Sequence, residues 1–170
     1  MLPLLARFRV TLGFVVGALC FWLADPSWLS IAVGGLIAVP GECLRLWAAG
    51  HIEKGREITR SGPYRFVRHP LYLGSSIMAI GFAVAAGNAS VVLLVALYMG
   101  LTLLAAMRTE ERALDQQFNG EYSAYREGRA EPVARRFSWQ RVMSNREYRG
   151  ASGVVIGLGL LALIKVFLHG

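Results

Sequence analysis

The strongest constraint in this sequence is a series of five apolar segments, each close to the length that crosses a bilayer. They span approximately residues 8–24, 28–50, 71–87, 89–107 and 150–168. A membrane-spanning helix needs about 20 apolar residues. With 55% hydrophobic and 17% charged residues, the chain also departs from soluble domains, which carry about 25% charge. The sequence predicts an all-α integral membrane protein with five transmembrane helices, forming a single domain over residues 1–170.

The charge of the connecting segments alternates along the chain. All but two of the 18 lysines and arginines lie at the N-terminal edge of the first segment or in the two long loops, the exceptions being Arg45 and Lys165. Because basic residues concentrate on the cytoplasmic side, we expect the N-terminus and both long loops in the cytoplasm, the C-terminus outside, and the protein in the cell inner membrane. This topology accounts for the net charge of +7, so no nucleic-acid partner is predicted.

Small residues in the apolar segments predict close helix packing. Gly87-Asn88-Ala89-Ser90 is a short connection that predicts an antiparallel hairpin of the third and fourth helices. The pairs Gly13/Gly17 and Gly153/Gly157 have the spacing at which helices approach closely. Cys20 and Cys43 have no Cys or His at metal-ligand spacing, so neither a metal site nor a disulfide is predicted.

Two ionisable residues interrupt the second apolar segment. Glu42 and Arg45 are three positions apart, so they share one helical face and can pair with each other. Ionised groups at membrane depth are costly and commonly mark functional sites. Two interpretations stay open: a mutually neutralised pair, or a pair that lines a polar cavity.

The first long loop is dense in groups that bind anions or stack on rings. Arg68 and His69 precede Pro70, which suits the first turn of a helix. A helix N-terminus favours a carboxylate or phosphate, and Tyr64 and Tyr72 place aromatic rings nearby. The alternative is a basic and aromatic belt that only anchors the third helix.

The second long loop opens on Arg108-Thr109-Glu110-Glu111. Leu114, Phe118, Tyr122 and Tyr125 follow at spacings of four, four and three, which predicts one continuous amphipathic helix. The acidic pair needs a cationic partner, or it is a solvated helix start.

These motifs together resemble the isoprenylcysteine carboxyl methyltransferase family, which is related to the phospholipid N-methyltransferases. The similar residues are Gly62-Pro63-Tyr64, Arg68-His69-Pro70-x-Tyr72, Glu110-Glu111-x-x-Leu114-x-x-x-Phe118 and Glu121-Tyr122-x-x-Tyr125. The resemblance covers about residues 52–125, the expected cofactor-binding core. It implies S-adenosylmethionine as cofactor, held by cytoplasmic loops without a Rossmann domain.

The resemblance and the loop chemistry together define a predicted cofactor site. Its residues are Arg56, Glu57, Ile58, Thr59, Tyr64, Arg68, His69, Pro70, Leu71, Tyr72 and Glu110. A helix start suits the cofactor's carboxylate, Glu110 or Glu111 its ammonium, and the aromatic rings its adenine and sulfonium.

The acceptor half departs from the family. Eukaryotic members carry Phe-Gly-Glu-Glu-Tyr where this chain has Phe118-Asn119-Gly120-Glu121-Tyr122, and Ala106 stands where they have a substrate-facing arginine. Arg108 and Arg129 are the predicted acceptor-binding residues, because a guanidinium binds carboxylates and phosphates in a bidentate manner.

The predicted reaction is methyl transfer to a lipophilic or lipidated membrane acceptor, with carboxyl O-methylation of an isoprenylcysteine-like substrate placed first. The alternatives are a phospholipid amine or a small thiol. A carboxylate needs no general base, whereas an amine must lose a proton, for which Glu111 or Glu42 is the candidate. A transporter or scaffold and an NADPH-dependent membrane reductase are the rivals of other classes. The oligomeric state is left open.

Overall fold

Helices account for most of the computed structural model, which describes residues 2–53, 55–118, 121–131 and 133–168. Lys54, Asn119, Gly120 and Pro132 lie outside the described residues. The α-helices in the described ranges are α1 (Leu2–Leu23), α2 (Trp28–Ala49), α3 (Pro70–Ala85), α4 (Ala89–Gln117), α5 (Glu121–Arg126), α6 (Trp139–Ser144) and α7 (Tyr148–Leu168). A 3₁₀ turn covers Gly62–Arg65. These ranges contain no strand, so the all-α prediction is confirmed for them.

Each of the five predicted segments corresponds to a helix, but the helices differ in length and polarity. Three are long and apolar enough to cross a membrane: Trp28–Ala49, Ala89–Gln117 and Tyr148–Leu168. The apolar helices Thr11–Leu23 and Pro70–Ala85 are shorter. Because exposed apolar side chains cover their outer surfaces, the helices fit a membrane protein.

Glycines bring α2 and α3 into backbone contact. A Cβ atom added at Gly81 would lie 2.6 Å from Ala38 N and from Gly34 O, and one added at Gly74 would lie 2.6 Å from Gly41 O. These glycines are spaced by seven residues on each helix, which keeps them on one face. Of the predicted pairs, Gly13 and Gly157 are in close contacts, because an added Cβ would lie 2.6 Å from Tyr98 Oη and from Phe82 Cε1, respectively, whereas one added at Gly17 or Gly153 would meet no described atom within 4 Å. The closest packing instead uses α2 and α3.

The short turn between α1 and α2 and the short turn between α3 and α4 meet at one end of the helices. The Asp25 N–H donates to Ala86 O over 2.9 Å, and Asn88 Nδ2 donates to Leu23 O over 2.8 Å. Gly87 adopts a φ of +67°, a left-handed conformation that glycine adopts without steric cost, and Asn88 caps α4 by accepting from the Ser90 N–H. The predicted hairpin of the third and fourth helices is confirmed, and the two long loops pack together at the opposite end.

The helix predicted through Leu114, Phe118, Tyr122 and Tyr125 is not continuous. The fourth helix extends ten residues past its apolar part and ends at Gln117, and a separate α5 begins at Glu121. Strong helix formers such as Arg, Glu, Ala, Leu and Gln fill the extension, whereas the Asn-Gly pair that follows favours a break. The extension places the acidic pair on the same helix as the membrane segment.

Candidate functional site

A cavity of about 400 Å³ lies where the two long loops meet the start of α3. This volume is within the range of small-molecule sites. Most residues of the predicted cofactor site line it: Glu57, Ile58, Thr59, Tyr64, Arg68, His69, Leu71, Tyr72 and Glu110. The cavity therefore gathers both halves of the predicted motif. We refer to it as the polar cavity.

His69 occupies the predicted position at the start of α3. It is the N-cap residue, Pro70 is the first helical residue, and the imidazole makes no capping hydrogen bond. Instead, His69 Nε2 lies 2.9 Å from Glu111 Oε1, which also accepts from the Tyr122 hydroxyl over 3.2 Å. Because an ionised carboxylate only accepts, this contact places a proton on Nε2. Glu111 therefore fixes the orientation of the imidazole ring.

Tyr64 is buried in the wall of the polar cavity, with 8% of its surface exposed. Its hydroxyl and that of Thr59 are buried, and neither has a hydrogen-bond partner among the described residues. Burial, reinforced by the nearby charge of Glu110, raises the pKa of Tyr64 well above its usual range, so the phenol stays protonated. Buried polar groups are normally paired, so both hydroxyls are available to a bound molecule.

The second loop closes over the first through a small set of polar contacts. The Tyr125 hydroxyl donates to Tyr64 O over 2.6 Å, and Gln117 Nε2 donates to Gly55 O over 2.9 Å. Arg60 pairs with Glu121 over 2.7 Å. Tyr122 and Tyr125 both line the polar cavity, and burial raises their pKa values. The second loop thus supplies aromatic walls as well as carboxylates.

The structure supports part of each interpretation of the Glu42 and Arg45 pair. Arg45 Nε lies 3.5 Å from Glu42 Oε2, so the pair forms. The same guanidinium also pairs with Glu147, which precedes α7, and donates to the Ser75 hydroxyl. Arg45, Ser75 and Glu147 line the polar cavity. The membrane-facing end of the cavity therefore brings together Arg45 of α2, Ser75 of α3 and Glu147, which immediately precedes α7.

Several predicted site residues lie outside the cavity lining. Pro70 is fully buried as the first residue of α3, and exposed Arg56 lines a separate polar pocket beside Arg141. Arg108 is exposed on α4, and Arg129 pairs with Glu127 within its own loop. Neither guanidinium reaches the lining of the polar cavity.

Sequence reasoning missed Glu147. It lies in the polar cavity although about a hundred residues separate it from Arg45 along the chain. A signal was present: it is a lone acid between Arg146 and Arg149, immediately before an apolar segment. A carboxylate that is surrounded by bases at a membrane boundary suggests a partner inside the protein rather than a surface role.

A second cavity, also about 400 Å³, lies between α1, α3, α4 and α7. We refer to it as the apolar cavity. Its lining is almost entirely hydrocarbon and includes Val16, Phe21, Phe82, Val95 and Leu161. Within the described ranges, no three His, Cys, Asp or Glu side chains converge on a point where they could hold a metal ion.

Known proteins are similar to the part of the chain that carries most of the motifs. A model of the phospholipid methyltransferase family matches residues 12–121. The cobalt-zinc-cadmium resistance protein CzcN of Cupriavidus metallidurans is 32% identical over 127 residues, which are 69% of this chain and 57% of that protein. The nickel-cobalt-cadmium resistance protein NccN of Alcaligenes xylosoxydans xylosoxydans is 31% identical over 99 residues, or 55% and 46% of the two chains. The chain thus spans about half the length of these relatives. No solved structure matches it.

Proposed function

The chain belongs to the phospholipid methyltransferase family, and we propose that it transfers a methyl group from S-adenosylmethionine to a lipophilic acceptor in the membrane. One observation carries this proposal: the two separate halves of the motif converge on a single cavity of suitable size. The names of the relatives describe resistance to metals rather than a reaction, so they leave the acceptor open.

The polar cavity has chemical groups that fit this cofactor. The unpaired Tyr64 and Thr59 hydroxyls offer hydrogen bonds, and the Glu110 carboxylate suits the ammonium of the amino-acid end. Arg68 and the start of α3 suit its carboxylate, and the tyrosine rings suit the adenine and the sulfonium. When bound, S-adenosylmethionine supplies an electrophilic methyl group. The protein's part is to hold that group and the acceptor at reacting distance in a dry site.

We propose that all five apolar helices cross the membrane and that both long loops are cytoplasmic. The cofactor site would then be formed by loops and helix ends rather than by a Rossmann domain. In support, the two short turns contact each other at one end, whereas the basic loops pack together at the other end. Basic residues favour the cytoplasmic side. With this orientation the protein lies in the inner membrane and takes up its cofactor from the cytoplasm.

An isoprenylcysteine-like carboxylate remains the acceptor that the family resemblance places first, with a phospholipid amine or a small thiol as alternatives. Arg108, Arg129 and Glu111 remain predictions for acceptor chemistry. Arg108 and Arg129 could reach an acceptor only from outside the polar cavity. Glu111 is already bound to His69 and Tyr122, so we assign it a positioning role first.

Thermal unfolding of the purified protein with increasing S-adenosylhomocysteine tests the cofactor assignment. At 100 times its dissociation constant, a ligand stabilises the folded state by about 2.7 kcal/mol. Glu110→Ala should abolish the saturable stabilisation, whereas Glu131→Ala, at an exposed position away from the cavity, should retain it.

The same experiment separates the rival functions. A transporter or scaffold predicts no response of the folded protein to S-adenosylhomocysteine, and a reductase predicts a response to NADPH alone. Either result would overturn the methyltransferase proposal.

A further inference from the structure

Two carboxylates and one guanidinium are grouped at the membrane-facing end of the polar cavity. Arg45 contacts Glu42, Glu147 and the Ser75 hydroxyl, and we call these four residues the Arg45 cluster. Glu42 and Glu147 are 6% and 5% exposed. Charges this deeply buried are tolerated only when they are paired and hydrogen-bonded.

The cluster has more negative than positive charge. Among the described residues, Arg45 is the cation within salt-bridge distance of either carboxylate. Both Glu42 oxygens are buried and accept no hydrogen bond from any described group. One excess negative charge in surroundings of low dielectric has to be balanced by a proton or by a cationic ligand. The net charge of the cluster is therefore neutralised only when a proton or a cationic ligand binds to it.

Only part of the cluster faces the cavity. Arg45, Ser75 and Glu147 line it, whereas Glu42 is absent from the lining and pairs with Arg45. A molecule in the cavity thus meets the Glu147 carboxylate beside a guanidinium that two acids already engage. A carboxylate acceptor would add a further negative charge beside the Glu147 carboxylate. A nucleophile that carries a proton can instead pass that proton to Glu147 and so remove the excess negative charge.

Resting on the proposed methyltransferase activity, we propose that Glu147 accepts the proton of the methyl acceptor, which is a nitrogen or sulfur nucleophile bearing a proton rather than a carboxylate. The nitrogen or sulfur lone pair forms the bond to the methyl carbon while the bond from that carbon to the sulfonium breaks. The electron pair of the broken bond stays on the departing sulfur, giving S-adenosylhomocysteine, and the acceptor's proton passes to the Glu147 carboxylate. Arg45 holds that carboxylate in place.

The test uses the full chain in lipid nanodiscs and three amphiphilic acceptors: dodecylamine, dodecanethiol and N-acetyl-S-farnesylcysteine. Glu147→Gln should lower turnover of the amine or the thiol by about 10²- to 10⁴-fold, the usual contribution of a general base. The loss should shrink as the pH rises, because the acceptor then loses its proton to solvent. Binding of S-adenosylhomocysteine should stay within twofold of wild type, which shows that the variant is folded.

Glu131→Gln is the matched control. It removes a carboxylate at an exposed position away from the polar cavity and should leave turnover at the wild-type level. The amine and thiol arms identify which nucleophile the enzyme uses. Wild-type turnover of both by Glu147→Gln, or a wild-type preference for the farnesylcysteine carboxylate that this variant keeps, would overturn the proposal.

A binding measurement covers the case in which none of the three acceptors is methylated. With S-adenosylhomocysteine saturating, dodecylammonium should stabilise the wild-type protein more than dodecanoate does, and Glu147→Gln should remove the difference. Equal or reversed stabilisation in the wild type would overturn the proposal. Failure of the wild type to bind S-adenosylhomocysteine would instead overturn the proposed function itself, so the two failures are distinguishable.

Discussion

Two cavities of about 400 Å³ share the helix α3 but are suited to different chemistry. The polar cavity uses its first turns, including Ser75, whereas the apolar cavity uses Ala79, one turn further along, and Phe82. The first contains unpaired hydroxyls and an incompletely balanced charge cluster. The second is lined by hydrocarbon and small residues. Size alone therefore does not identify a site; the unsatisfied polar groups do.

The difference follows from what each cavity is made of. Helix packing alone forms the apolar cavity, where glycines such as Gly17 and Gly153 leave space. The polar cavity needs the loops as well, because tyrosines from α5 and the 3₁₀ turn close it. Four predictions, ordered from the largest expected effect, test this comparison and the stability of the surrounding fold.

Gly81→Ala should damage both cavities at once. The added Cβ would lie 2.6 Å from Ala38 N and Gly34 O, and backbone atoms of a packed helix cannot move aside cheaply. Overpacking of this kind typically destabilises by about 1 to 3 kcal/mol. Unfolding in detergent measures the loss. Gly100→Ala is the control, because an added Cβ there meets no described atom within 4 Å; equal stability of the two variants would contradict the α2–α3 interface.

Ser75→Leu and Ala79→Leu should separate the cavities. Each adds a similar side chain to α3, but Ser75 faces the polar cavity and Ala79 the apolar one. Ser75→Leu also removes a hydroxyl that accepts from Arg45. We expect it to weaken binding of S-adenosylhomocysteine more than tenfold by titration calorimetry, while Ala79→Leu stays within twofold. If both variants lose binding equally, the cavities are not independent.

Tyr64→Phe should have opposite effects on stability and binding. It removes a buried hydroxyl that has no partner among the described groups, and such a group costs about 1 to 3 kcal/mol when unpaired. Without ligand, the variant should be as stable as wild type or more stable, yet it should bind S-adenosylhomocysteine several-fold more weakly. Tyr148→Phe, at a half-exposed position outside both cavities, is the control. A clear loss of stability without ligand would show that the hydroxyl is paired inside the protein.

The smallest effect should come from His51, which lines neither cavity. Burial, followed by the charges of Arg141 and Arg135, lowers the pKa of its imidazole. The folded state therefore takes up this proton at lower pH than the unfolded state, in which the pKa is about 6.5. The contribution of the neutral His51 imidazole to folding stability is complete above pH 6.5 and is lost as the pH falls through 6.5 towards the pKa of the folded state. The melting temperature should decrease gradually on acidification, and less so in His51→Gln.

Most of the fold, and most of the residues that line the polar cavity, could be predicted from the sequence. Apolar segments near 20 residues located the helices, and the start of α3 at Pro70 followed from local chemistry. The family resemblance added Glu110 and the tyrosines. These signals come from residues close together in the sequence or from motifs shared with relatives. They can therefore be recognised without knowing how the helices pack.

The remainder depended on contacts between distant parts of the chain. The pairing of Arg45 with Glu147 joins two elements that no periodicity links. The tight α2–α3 contact uses glycines seven residues apart rather than the four-residue spacing that was expected. The fourth helix ends at Gln117, where Phe118 leaves the helical conformation although the apolar spacing continues to Tyr122.

The Arg45 cluster has a consequence for how the chain is made. Glu42 and Arg45 are synthesised within one helical turn, whereas Glu147 leaves the ribosome about 5 to 20 seconds later at ordinary elongation rates. With the proposed topology, insertion of α2 during that interval would bring Arg45 into the bilayer without its second carboxylate. Glu42, 3.5 Å from it on the same helix, is the counter-ion already available at insertion. The carboxylate that accepts no hydrogen bond from a described group in the folded protein is thus the one that would neutralise the arginine first during insertion.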